Sequence, residues 1–594
     1  MLAGLLARPA AIQSPAAAPP SGPALFAAHC SRCHNADDAR APSPEVLHGR
    51  SPQAILDALT AGSMKYQGLA LSGEERRAIA ESLTGRRLRD PLLGSTVGIC
   101  TPSMRRTPPG DPRATPLWNG WGATLENTHF QATAQAGLTA EQVPKLHLKW
   151  AFGFPDATSA WAQPTIAGGR LYAGSQNGTV YALDAASGCI VWTFAAQGGV
   201  RASISISSRR AYFSDQKGFV YALDAATGKA IWTQKVDDHP LVRLTGAPVL
   251  HEDRLYVPTS SYEEGGKPPG YACCTFRGAI VALDVKDGRI IWKSYTIAEE
   301  PRLLRTYADG TELRGPAGGA IWSAPTIDVK RGAIYAGVGN TYSGAAQPTT
   351  DAVIAFDLKT GKLRWSRQMP PSTPDVFGCA PGEVNCGERA GPDFDFGASP
   401  ILAHLAGGRD LIVAGQKSGV VFALDPDKKG EQVWRYRAGG GSGLGGIQWG
   451  IASDGERVYV PVAEIYSANP GGLHAIDLAA GTRAWYAAPA ETPACGKLSR
   501  ACSGALFSAV TVIPGIVFSP SNDGVIRAHS TRDGRVVWAF DTNREFPTLN
   551  GLRAKGGSMN GPAPVVAGGM VYVSSGYGVF GLRPGNVLLA FGRE

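Results

Sequence analysis

One unit of sequence decides the fold of this 594-residue chain: Val180-Tyr181-Ala182-Leu183-Asp184-Ala185-Ala186-Ser187-Gly188-Cys189-Ile190-Val191-Trp192. It is typical of a half-buried strand, a hairpin turn made by Asp184 and Gly188, and a second strand that carries Trp192. Further copies follow, one with an extra residue, one without the Asp and a degenerate last one: Asp224/Gly228/Trp232, Asp284/Gly288/Trp292, Asp357/Gly361/Trp365, Asp425/Gly430/Trp434, Asp477/Gly481/Trp485, Gly534/Trp538 and Gly585. One such sheet cannot bury both of its faces alone, so we expect the copies to stack.

A ring of stacked sheets leaves only short, protected edges, and the sequence therefore predicts an all-β propeller over residues 117–594. The number of copies favours eight blades, with seven as the alternative. Trp150, in Leu148-Lys149-Trp150-Ala151-Phe152, precedes the first full copy. We expect this segment to form an outer strand that closes the ring with the last copy. The 75 Gly and 43 Pro suit many short strands joined by tight turns.

A second motif lies near the N-terminus, in Cys30-Ser31-Arg32-Cys33-His34. A Cys-x-x-Cys-His run is typical of c-type haem attachment, in which both thiols bond to the porphyrin and His34 takes one axial position on the iron. A redox-active Cys-x-x-Cys motif or half of a zinc site is the alternative, and a His directly after the second Cys argues against both. Bound haem commits a protein to one-electron chemistry.

Residues 24–88 around this motif are predicted to form a small all-α domain. Three helices are expected, over residues 24–33, 51–61 and 72–83. The last helix has Ser72 as its N-cap and Glu75 three residues on, which is a capping box. Residues 1–23 are rich in Ala and Pro and resemble the remnant of a signal peptide, and residues 89–116, with several Pro and Arg, are predicted to be a linker.

Met64 lies between the last two predicted helices. A thioether opposite an imidazole stabilises ferrous iron. The order of haem motif, helix, loop methionine and closing helix resembles small class I c-type cytochromes, which makes Met64 the expected sixth iron ligand. His48 is the rival ligand, and simple packing of Met64 on the porphyrin edge is the other interpretation.

Charge and cysteine content indicate the compartment. The net charge of +8 is weak for this length and no block of Lys or Arg occurs, so nucleic-acid binding is not expected. No stretch of about 18 apolar residues occurs, so no membrane span is predicted. Two cysteine pairs, Cys379/Cys386 and Cys495/Cys502, each enclose a short loop with Gly, and Cys100/Cys189 is the residual pair. Disulfides and haem attachment together predict a periplasmic or secreted protein.

The repeats also carry a family resemblance. Residues 222–228, Ala-Leu-Asp-Ala-Ala-Thr-Gly, followed by Trp232, resemble the repeats of pyrroloquinoline quinone (PQQ) dehydrogenases, and the likeness spans nearly all of residues 117–591. The N-terminal haem motif adds to this likeness, as do Asp393-Phe394-Asp395-Phe396-Gly397 and Ala272-Cys273-Cys274-Thr275-Phe276-Arg277-Gly278. Together they look most similar to quinohaemoprotein polyvinyl alcohol dehydrogenases. The resemblance implies three cofactors: PQQ, haem c and Ca²⁺.

The same resemblance implies a calcium site. In PQQ alcohol dehydrogenases the ion is held by a Glu, an Asn and often the catalytic Asp, and such oxygen ligands suit Ca²⁺. The Glu matches Glu263, with Glu264 as a near rival, in a segment that precedes Arg277-Gly278. The Asn matches Asn340, and Asp395 is the third ligand. The alternative interpretation is two surface Glu and a turn Asn.

The catalytic base of the family lies between aromatic residues, as Asp395 does here, and Asp393 is the alternative, whose other role is to cap the turn. Trp322 matches the Trp that stacks on the quinone. A triply anionic cofactor needs cations and donors in a buried slot. Three residues match positions that bind its carboxylates or its quinone oxygens, Arg201, Thr245 and Lys417, and Trp449 is a weaker candidate for the rim.

Cys273-Cys274 is a separate signal, because adjacent cysteines can form an eight-membered disulfide ring. PQQ alcohol dehydrogenases place such a ring against the cofactor, but one repeat earlier, ahead of the residue matched by Arg201. Two interpretations stay open: the pair lines the axis from a neighbouring blade and touches PQQ, or it makes a rigid turn.

The resemblance implies a complete redox circuit. Asp395 accepts the hydroxyl proton of an alcohol while hydride passes to PQQ, and the electrons then go singly to haem c and on to an external acceptor such as a soluble cytochrome c. The expected substrate is a polymeric secondary alcohol, with polyvinyl alcohol inferred from resemblance alone. The alternatives are a PQQ-dependent dehydrogenase of small alcohols or sugars and, in another class, a non-catalytic propeller scaffold similar to outer-membrane assembly factors.

Overall fold

The computed structural model describes residues 21–34, 41–60, 64–68, 71–88, 97–111, 116–263, 271–369, 392–465, 471–491, 495 and 502–593. The N-terminal part is helical, with α1 (Gly22–His29), α2 (Pro44–His48), α3 (Pro52–Thr60), α4 (Lys65–Gly68) and α5 (Gly73–Thr84). Two more short helices follow, α6 (Pro102–Arg106) and α7 (Thr133–Ala136). The predicted capping box is confirmed, because Ser72 and Glu75 exchange side-chain to backbone hydrogen bonds. Helices α2 and α4 were not predicted, because they span only five and four residues, too short for a helical period.

The ring opens with strand β1 (His147–Gly153), which pairs antiparallel with the last strand of the chain. Blade 1 consists of β2 (Thr165–Ala167), β3 (Arg170–Ala173), β4 (Thr179–Asp184) and β5 (Ile190–Ala195). Blade 2 consists of β6 (Ser205–Ser207), β7 (Arg210–Ser214), β8 (Phe219–Asp224) and β9 (Ala230–Lys235). Blade 3 consists of β10 (Val242–Arg243), β11 (Val249–His251), β12 (Arg254–Ser261), β13 (Ala279–Asp284) and β14 (Ile290–Tyr295).

Two small ribbons follow blade 3. The first pairs β15 (Arg302–Thr306) with β16 (Glu312–Gly315), and the second begins with β17 (Ala317–Gly318). Blade 4 consists of β18 (Thr326–Asp328), β19 (Ala333–Gly337), β21 (Ala352–Asp357) and β22 (Leu363–Gln368), and β20 (Thr341–Ser343) pairs with β17. Blade 5 consists of β23 (Ile401–His404), β24 (Asp410–Gly415), β25 (Val420–Asp425) and β26 (Glu431–Arg437).

Blade 6 consists of β27 (Ala452–Ser453), β28 (Arg457–Pro461), β29 (Leu473–Asp477) and β30 (Arg483–Ala487). Blade 7 consists of β31 (Thr511–Ile513), β32 (Ile516–Pro520), β33 (Val525–Ser530) and β34 (Val536–Asp541), and the ribbon β35 (Glu545–Pro547) with β36 (Arg553–Lys555) follows it. Blade 8 consists of β37 (Val565–Ala567), β38 (Met570–Ser575) and β39 (Val587–Gly592), with β1 as its fourth strand. The predicted eight blades and the closure through Trp150 are confirmed.

The recurring Gly and Trp hold neighbouring blades together. Trp192 of blade 1 donates its indole N–H to the carbonyl of Ala225, in the turn of blade 2, at 3.0 Å. A Cβ built on Gly228 of that turn would lie 2.6 Å from the Trp192 ring, so only glycine fits there, at a φ of +72°. Trp232 repeats both contacts, with the Val285 carbonyl at 3.1 Å and with Gly288. Each copy is therefore bonded to the next, as the stacking of repeats requires.

Two of the predicted disulfides are confirmed, Cys100–Cys189 and Cys495–Cys502. The third predicted pair, Cys379 with Cys386, lies outside the described residues. Among the helices of the described residues, none is both long enough and apolar enough to cross a bilayer.

Candidate active site

A pocket lies where the segments leading into the inner strands of several blades converge. Arg201 leads into blade 2, Thr245 lies in blade 3, Trp322 leads into blade 4 and Trp449 leads into blade 6, and all four residues line this pocket. The structure therefore brings together four residues that were predicted, from separate parts of the sequence, to bind the cofactor.

Arg201 supplies positive charge on an aromatic wall. Its guanidinium carbon lies 4.3 Å from the centre of the Trp449 ring and 5.3 Å from that of Trp161. Its Nη2 donates a hydrogen bond of 3.1 Å to the hydroxyl of Tyr577. A guanidinium held flat against rings in this way remains available to carboxylates in the same plane.

Trp322 forms another wall, edge-to-face with Trp449 at 5.0 Å between ring centres. Its position depends on Gly397, where an added Cβ would lie 1.9 Å from Cη2 of Trp322. The indole Nε1 of Trp322 donates a hydrogen bond of 3.1 Å to Oδ2 of Asp395. The wall of the pocket is therefore joined directly to the predicted base.

Asp395 is only 2% exposed. Its Oδ1 accepts a hydrogen bond of 2.8 Å from the backbone N–H of Asn340, and its Oδ2 accepts one of 2.8 Å from Nζ of Lys417. Lys417 also contacts Asp393 Oδ1 at 2.9 Å, and its ammonium lies 5.3 Å from the Trp322 ring centre. Both candidate bases thus share one lysine, and Asp395 is the one that also contacts the pocket wall.

Glu263 lies in a second polar group, fully buried. Its Oε1 accepts hydrogen bonds from the backbone N–H of Thr275 at 2.8 Å and from the Tyr271 hydroxyl at 3.0 Å, and its Oε2 accepts one from the N–H of Phe276 at 2.8 Å. Nε2 of His239 lies 3.4 Å away. The rival ligand Glu264 lies outside the described residues. The Glu263 carboxylate thus accepts hydrogen bonds from residues 271–276, whereas the backbone N–H of Asn340 donates to Asp395.

Cys273 and Cys274 are joined by a disulfide beside this glutamate, within 4.8 Å of its carboxylate. Both belong to a buried cluster against which Trp322 also packs. The pair therefore belongs to the cluster that Trp322 packs against, and because its sulfurs are bonded to each other they are not free thiolate ligands.

The donors of the pocket fit an aromatic, polyanionic cofactor. Three buried groups that line it have no hydrogen-bond partner among the described residues: Nε1 of Trp121, Nε1 of Trp161 and Oγ of Ser323. Buried donors are normally paired, so a ligand with several acceptors is the natural partner for this set. Arg201 and Thr245 add a cation and a hydroxyl, so the residues present fit PQQ.

In the helical domain, His34 is 6% exposed and its Nδ1 lies 2.8 Å from the carbonyl oxygen of Pro42. A carbonyl only accepts, so Nδ1 carries the proton and Nε2 is left as a lone-pair ligand, the arrangement usual for metal-bound histidine. Cys30 is buried, Cys33 is exposed, and both are free thiols. Burial raises the pKa of the Cys30 thiol, as does the neighbouring Cys33.

Met64 packs against the apolar cluster that contains Cys30 and helices α3 and α5. His48, the rival ligand, is exposed, and its Nδ1 is hydrogen-bonded to the carbonyl of Leu83 at 3.0 Å. Of the two, Met64 is the residue that shares the core with the haem motif.

Comparison with known proteins identifies the family. The chain is 41% identical to the "Polyvinylalcohol dehydrogenase" of Pseudomonas sp. over 96% of this chain and 93% of that protein. It is 38% identical to the "Polyvinylalcohol dehydrogenase" of Sphingopyxis sp. (strain 113P3) over 96% of this chain and 92% of that protein. This chain belongs to the polyvinyl alcohol dehydrogenase family.

The family match extends beyond the propeller, because those alignments include nearly the whole chain. A family model described as outer membrane protein assembly factor BamB matches residues 147–367 and 417–587, which lie within the ring. The crystal structure of the quinohaemoprotein alcohol dehydrogenase from Comamonas testosteroni shares the fold, with a TM-score of 0.59 at 19% identity over 83% of this chain and 82% of that chain.

Sequence reasoning missed Trp121, Trp161 and Ser323. The sequence nevertheless contains a signal that identifies Trp161. In five blades, a residue that lines the pocket lies four positions before the start of the first strand, if β11 is counted as the first strand of blade 3. For blades 1, 2, 3, 4 and 8 in that order, these residues are Trp161, Arg201, Thr245, Trp322 and Gly561. Aligning the repeats on their first strands therefore singles out Trp161 as the equivalent of Trp322.

Proposed function

We propose that this protein oxidises secondary hydroxyl groups of an alcohol polymer, polyvinyl alcohol, to ketones, with PQQ in the axial pocket and haem c in the helical domain. The observation that carries the proposal is the hydrogen bond of 3.1 Å from Trp322, in the pocket wall, to buried Asp395. The full-length likeness to two polyvinyl alcohol dehydrogenases supports the substrate.

When bound, PQQ supplies an electrophilic carbon that takes up hydride, and Ca²⁺ supplies Lewis acidity to its carbonyl. Asp395 accepts the proton of the substrate hydroxyl. A carboxylate has about four lone-pair sites, and three donors contact Asp395 among the described residues, from Asn340, Lys417 and Trp322. One acceptor site therefore remains for a substrate hydroxyl.

Arg201 and Thr245 would hold the carboxylates of PQQ, with Trp322 and Trp449 as its aromatic surroundings. Trp161 and Ser323 are buried and add donors on the wall. Glu263 and Asn340 would hold Ca²⁺, since the remaining acceptor site of Asp395 is the one that the substrate hydroxyl takes, and oxygen donors of this kind are the ones the ion prefers. The buried walls keep water from the reacting carbon, which strengthens the electrostatic interactions inside.

His34 and Met64 would hold the haem iron, with the porphyrin bonded to Cys30 and Cys33. The supporting observation is the Nδ1–H of His34, which faces the Pro42 carbonyl at 2.8 Å and leaves Nε2 free for iron. Haem c held there would supply one-electron chemistry, so the two electrons of one alcohol would leave in two successive transfers to an external carrier such as a soluble cytochrome c.

We also propose a periplasmic location. Its support is chemical: the described disulfides Cys100–Cys189 and Cys495–Cys502 form in oxidising compartments, where c-type haem is also attached.

The test is reconstitution of the haem-loaded protein with PQQ and Ca²⁺, followed by addition of polyvinyl alcohol, a small secondary alcohol, ethanol or glucose. Reduction of haem is expected with the polymer and the secondary alcohol. Preference for ethanol or glucose would instead support a dehydrogenase of small alcohols or sugars. If the protein neither binds PQQ nor shows haem reduction with any of these four substrates, the result would support a non-catalytic scaffold.

A further inference from the structure

The helical domain docks on the propeller through the first turn of helix α5. The backbone N–H of Gly73 donates to the carbonyl of Asn177 at 3.1 Å, in the turn between β3 and β4. Two ion pairs flank this contact, Glu75 with Lys217, and Arg77 with Asp156 at 2.6 Å. Ion pairs to two separate segments of the propeller thus fix the orientation of the helix.

Arg76 lies at the centre of this interface and is 2% exposed. On the side of the helical domain, its Nη1 donates to the carbonyls of Gly68 at 3.0 Å and Leu71 at 2.9 Å. On the side of the propeller, its Nη2 donates to the carbonyl of Gln176 at 3.4 Å. One guanidinium therefore bridges two domains. Its partners are main-chain atoms, so a substitution of a neighbouring side chain does not remove these hydrogen bonds.

The helical-domain partners of Arg76 belong to the segment that follows Met64. The N–H of Gly68 donates to the carbonyl of Met64 at 2.9 Å, which closes the turn at the start of α4. Arg76 is thus two hydrogen bonds away from the residue expected to bind iron.

The propeller partner of Arg76 belongs to a segment that contacts the pocket wall. Oε1 of Gln176 accepts a hydrogen bond of 3.1 Å from the N–H of Ser159, two residues before Trp161. Gln176 therefore links Arg76 to the backbone of Ser159, two residues from Trp161 in the pocket wall.

We propose that Arg76 is a positioning residue for electron transfer, which holds the Met64 turn against the Gln176 turn and so fixes the distance between the axial pocket and the haem. This inference rests on the proposed function. In each step one electron leaves the reduced cofactor, ferric haem becomes ferrous, and an external one-electron acceptor reoxidises it before the second electron follows.

The charge of Arg76 is consistent with this role. Burial lowers the pKa of the guanidinium to about 10, against the opposing effect of Asp156 and Glu75, so it is a cation at neutral pH. A buried cation whose partners are carbonyl oxygens is costly to leave unpaired. Separation of the domains would break its bond to Gln176, which favours a single docked arrangement.

Gly73 allows a test that leaves Arg76 itself intact. An added Cβ at Gly73 would lie 2.5 Å from Cβ of Asn177 and 2.6 Å from its carbonyl oxygen, so Gly73→Ala must push helix α5 away from the turn. Alanine is the better helix former, so the helical domain itself is expected to fold. Gly49→Ala is the matched control, because its nearest neighbour is a carbonyl oxygen at 3.5 Å.

The measurement is the rate of haem reduction after a secondary alcohol is added to PQQ- and Ca²⁺-loaded protein, with the haem midpoint potential and small-angle scattering recorded on the same samples. In Gly73→Ala we expect the rate to fall at least tenfold and the particle to expand, with the midpoint potential unchanged. Gly49→Ala is expected to match the wild type in all three.

Arg76→Gln and Arg76→Lys form the second pair. Arg76→Gln is expected to slow haem reduction at least tenfold and to shift the midpoint potential, because the Met64 turn loses its bonds, and Arg76→Lys is expected to restore part of both. Wild-type rates in Gly73→Ala and Arg76→Gln would overturn the proposal. Failure of the proposed function is seen separately, as absence of haem reduction by alcohol in the wild type.

Discussion

Trp322 Nε1 donates a hydrogen bond of 3.1 Å to Oδ2 of Asp395, so the aromatic wall of the pocket and the buried carboxylate form one unit. The bond fixes which carboxylate oxygen faces the wall and which faces the backbone of Asn340. The same indole both lines the pocket and donates a hydrogen bond to the predicted base.

Trp322→Phe keeps an aromatic wall but removes this hydrogen bond. A bond to a charged group contributes about 1.5–3 kcal/mol, so we expect alcohol turnover to fall about 10- to 100-fold while PQQ still binds. Steady-state kinetics and PQQ titration measure the two effects. Trp365→Phe, in the outer strand β22, is the control and should change neither. Equal turnover in Trp322→Phe and wild type would show that the indole does not orient the base.

Gly397→Ala tests the close packing beneath Trp322. The added Cβ would lie 1.9 Å from Cη2 of Trp322, so the ring must move. Displacements of about 1 Å in a site cost about 100-fold in rate, and we expect that loss together with weaker PQQ binding. Gly407→Ala, where the new Cβ meets nothing within 4 Å, is the matched control. Unchanged PQQ affinity in Gly397→Ala would contradict the placement of the cofactor beside Trp322.

Glu263→Gln tests the calcium assignment. Both carboxylate oxygens accept backbone hydrogen bonds, from Thr275 and Phe276, so the amide of Gln must point a donor at a donor. We expect a loss of about 1–3 kcal/mol in the free energy of unfolding and no further rise of melting temperature on addition of Ca²⁺. Glu545→Gln, on the surface, is the control. A variant that Ca²⁺ stabilises as much as the wild type would remove Glu263 from the ligand set.

His129 predicts an acid sensitivity of the fold. Burial lowers the pKa of its imidazole to about 3, and neither ring nitrogen has a partner among the described residues. The folded state holds it neutral while the unfolded state takes up a proton below about pH 6.5. This group therefore leaves the free energy of unfolding unchanged above that pH. As the pH falls, it lowers the free energy of unfolding, by about 2 kcal/mol at pH 5.

Urea unfolding at pH 7.5 and pH 5 checks this. His129→Asn, which tolerates the positive φ of 52° at this position, should lose less stability between the two pH values than the wild type, by about 2 kcal/mol. His29→Asn, a substitution of an exposed histidine, should keep the full pH dependence. An undiminished pH dependence in His129→Asn would contradict the prediction.

The ring was predictable from sequence because its contacts repeat. Gly228 packs on Trp192 and Gly288 on Trp232, so the same constraint marks every copy of the unit. The walls of the pocket were harder to predict, because Trp161 and Ser323 come from different blades and meet only when the ring closes. A repeat alignment on the inner strands, rather than on the Asp-Gly-Trp turns, would have found Trp161.

The docking of the helical domain could not be predicted at all. In the sequence, Arg76 looks like a polar residue on an amphipathic helix. It is buried in the structure because the Gln176 turn of blade 1 covers it. Glu263 is similar, since its partners Thr275 and Phe276 follow an insertion whose path the sequence does not specify. Long-range contacts of this kind carry no local pattern.

The most direct test of the central claim is an anaerobic titration with limiting secondary alcohol, followed at the reduced-haem absorption band, for wild type, Asp395→Asn and the surface control Asp238→Asn, all loaded with PQQ and Ca²⁺. Loss of a general base slows a reaction by about 10²–10⁴-fold. The account predicts haem reduction in wild type and Asp238→Asn, and almost none in Asp395→Asn although PQQ still binds. Haem reduction at the wild-type rate in Asp395→Asn, or in wild type without PQQ, would contradict it.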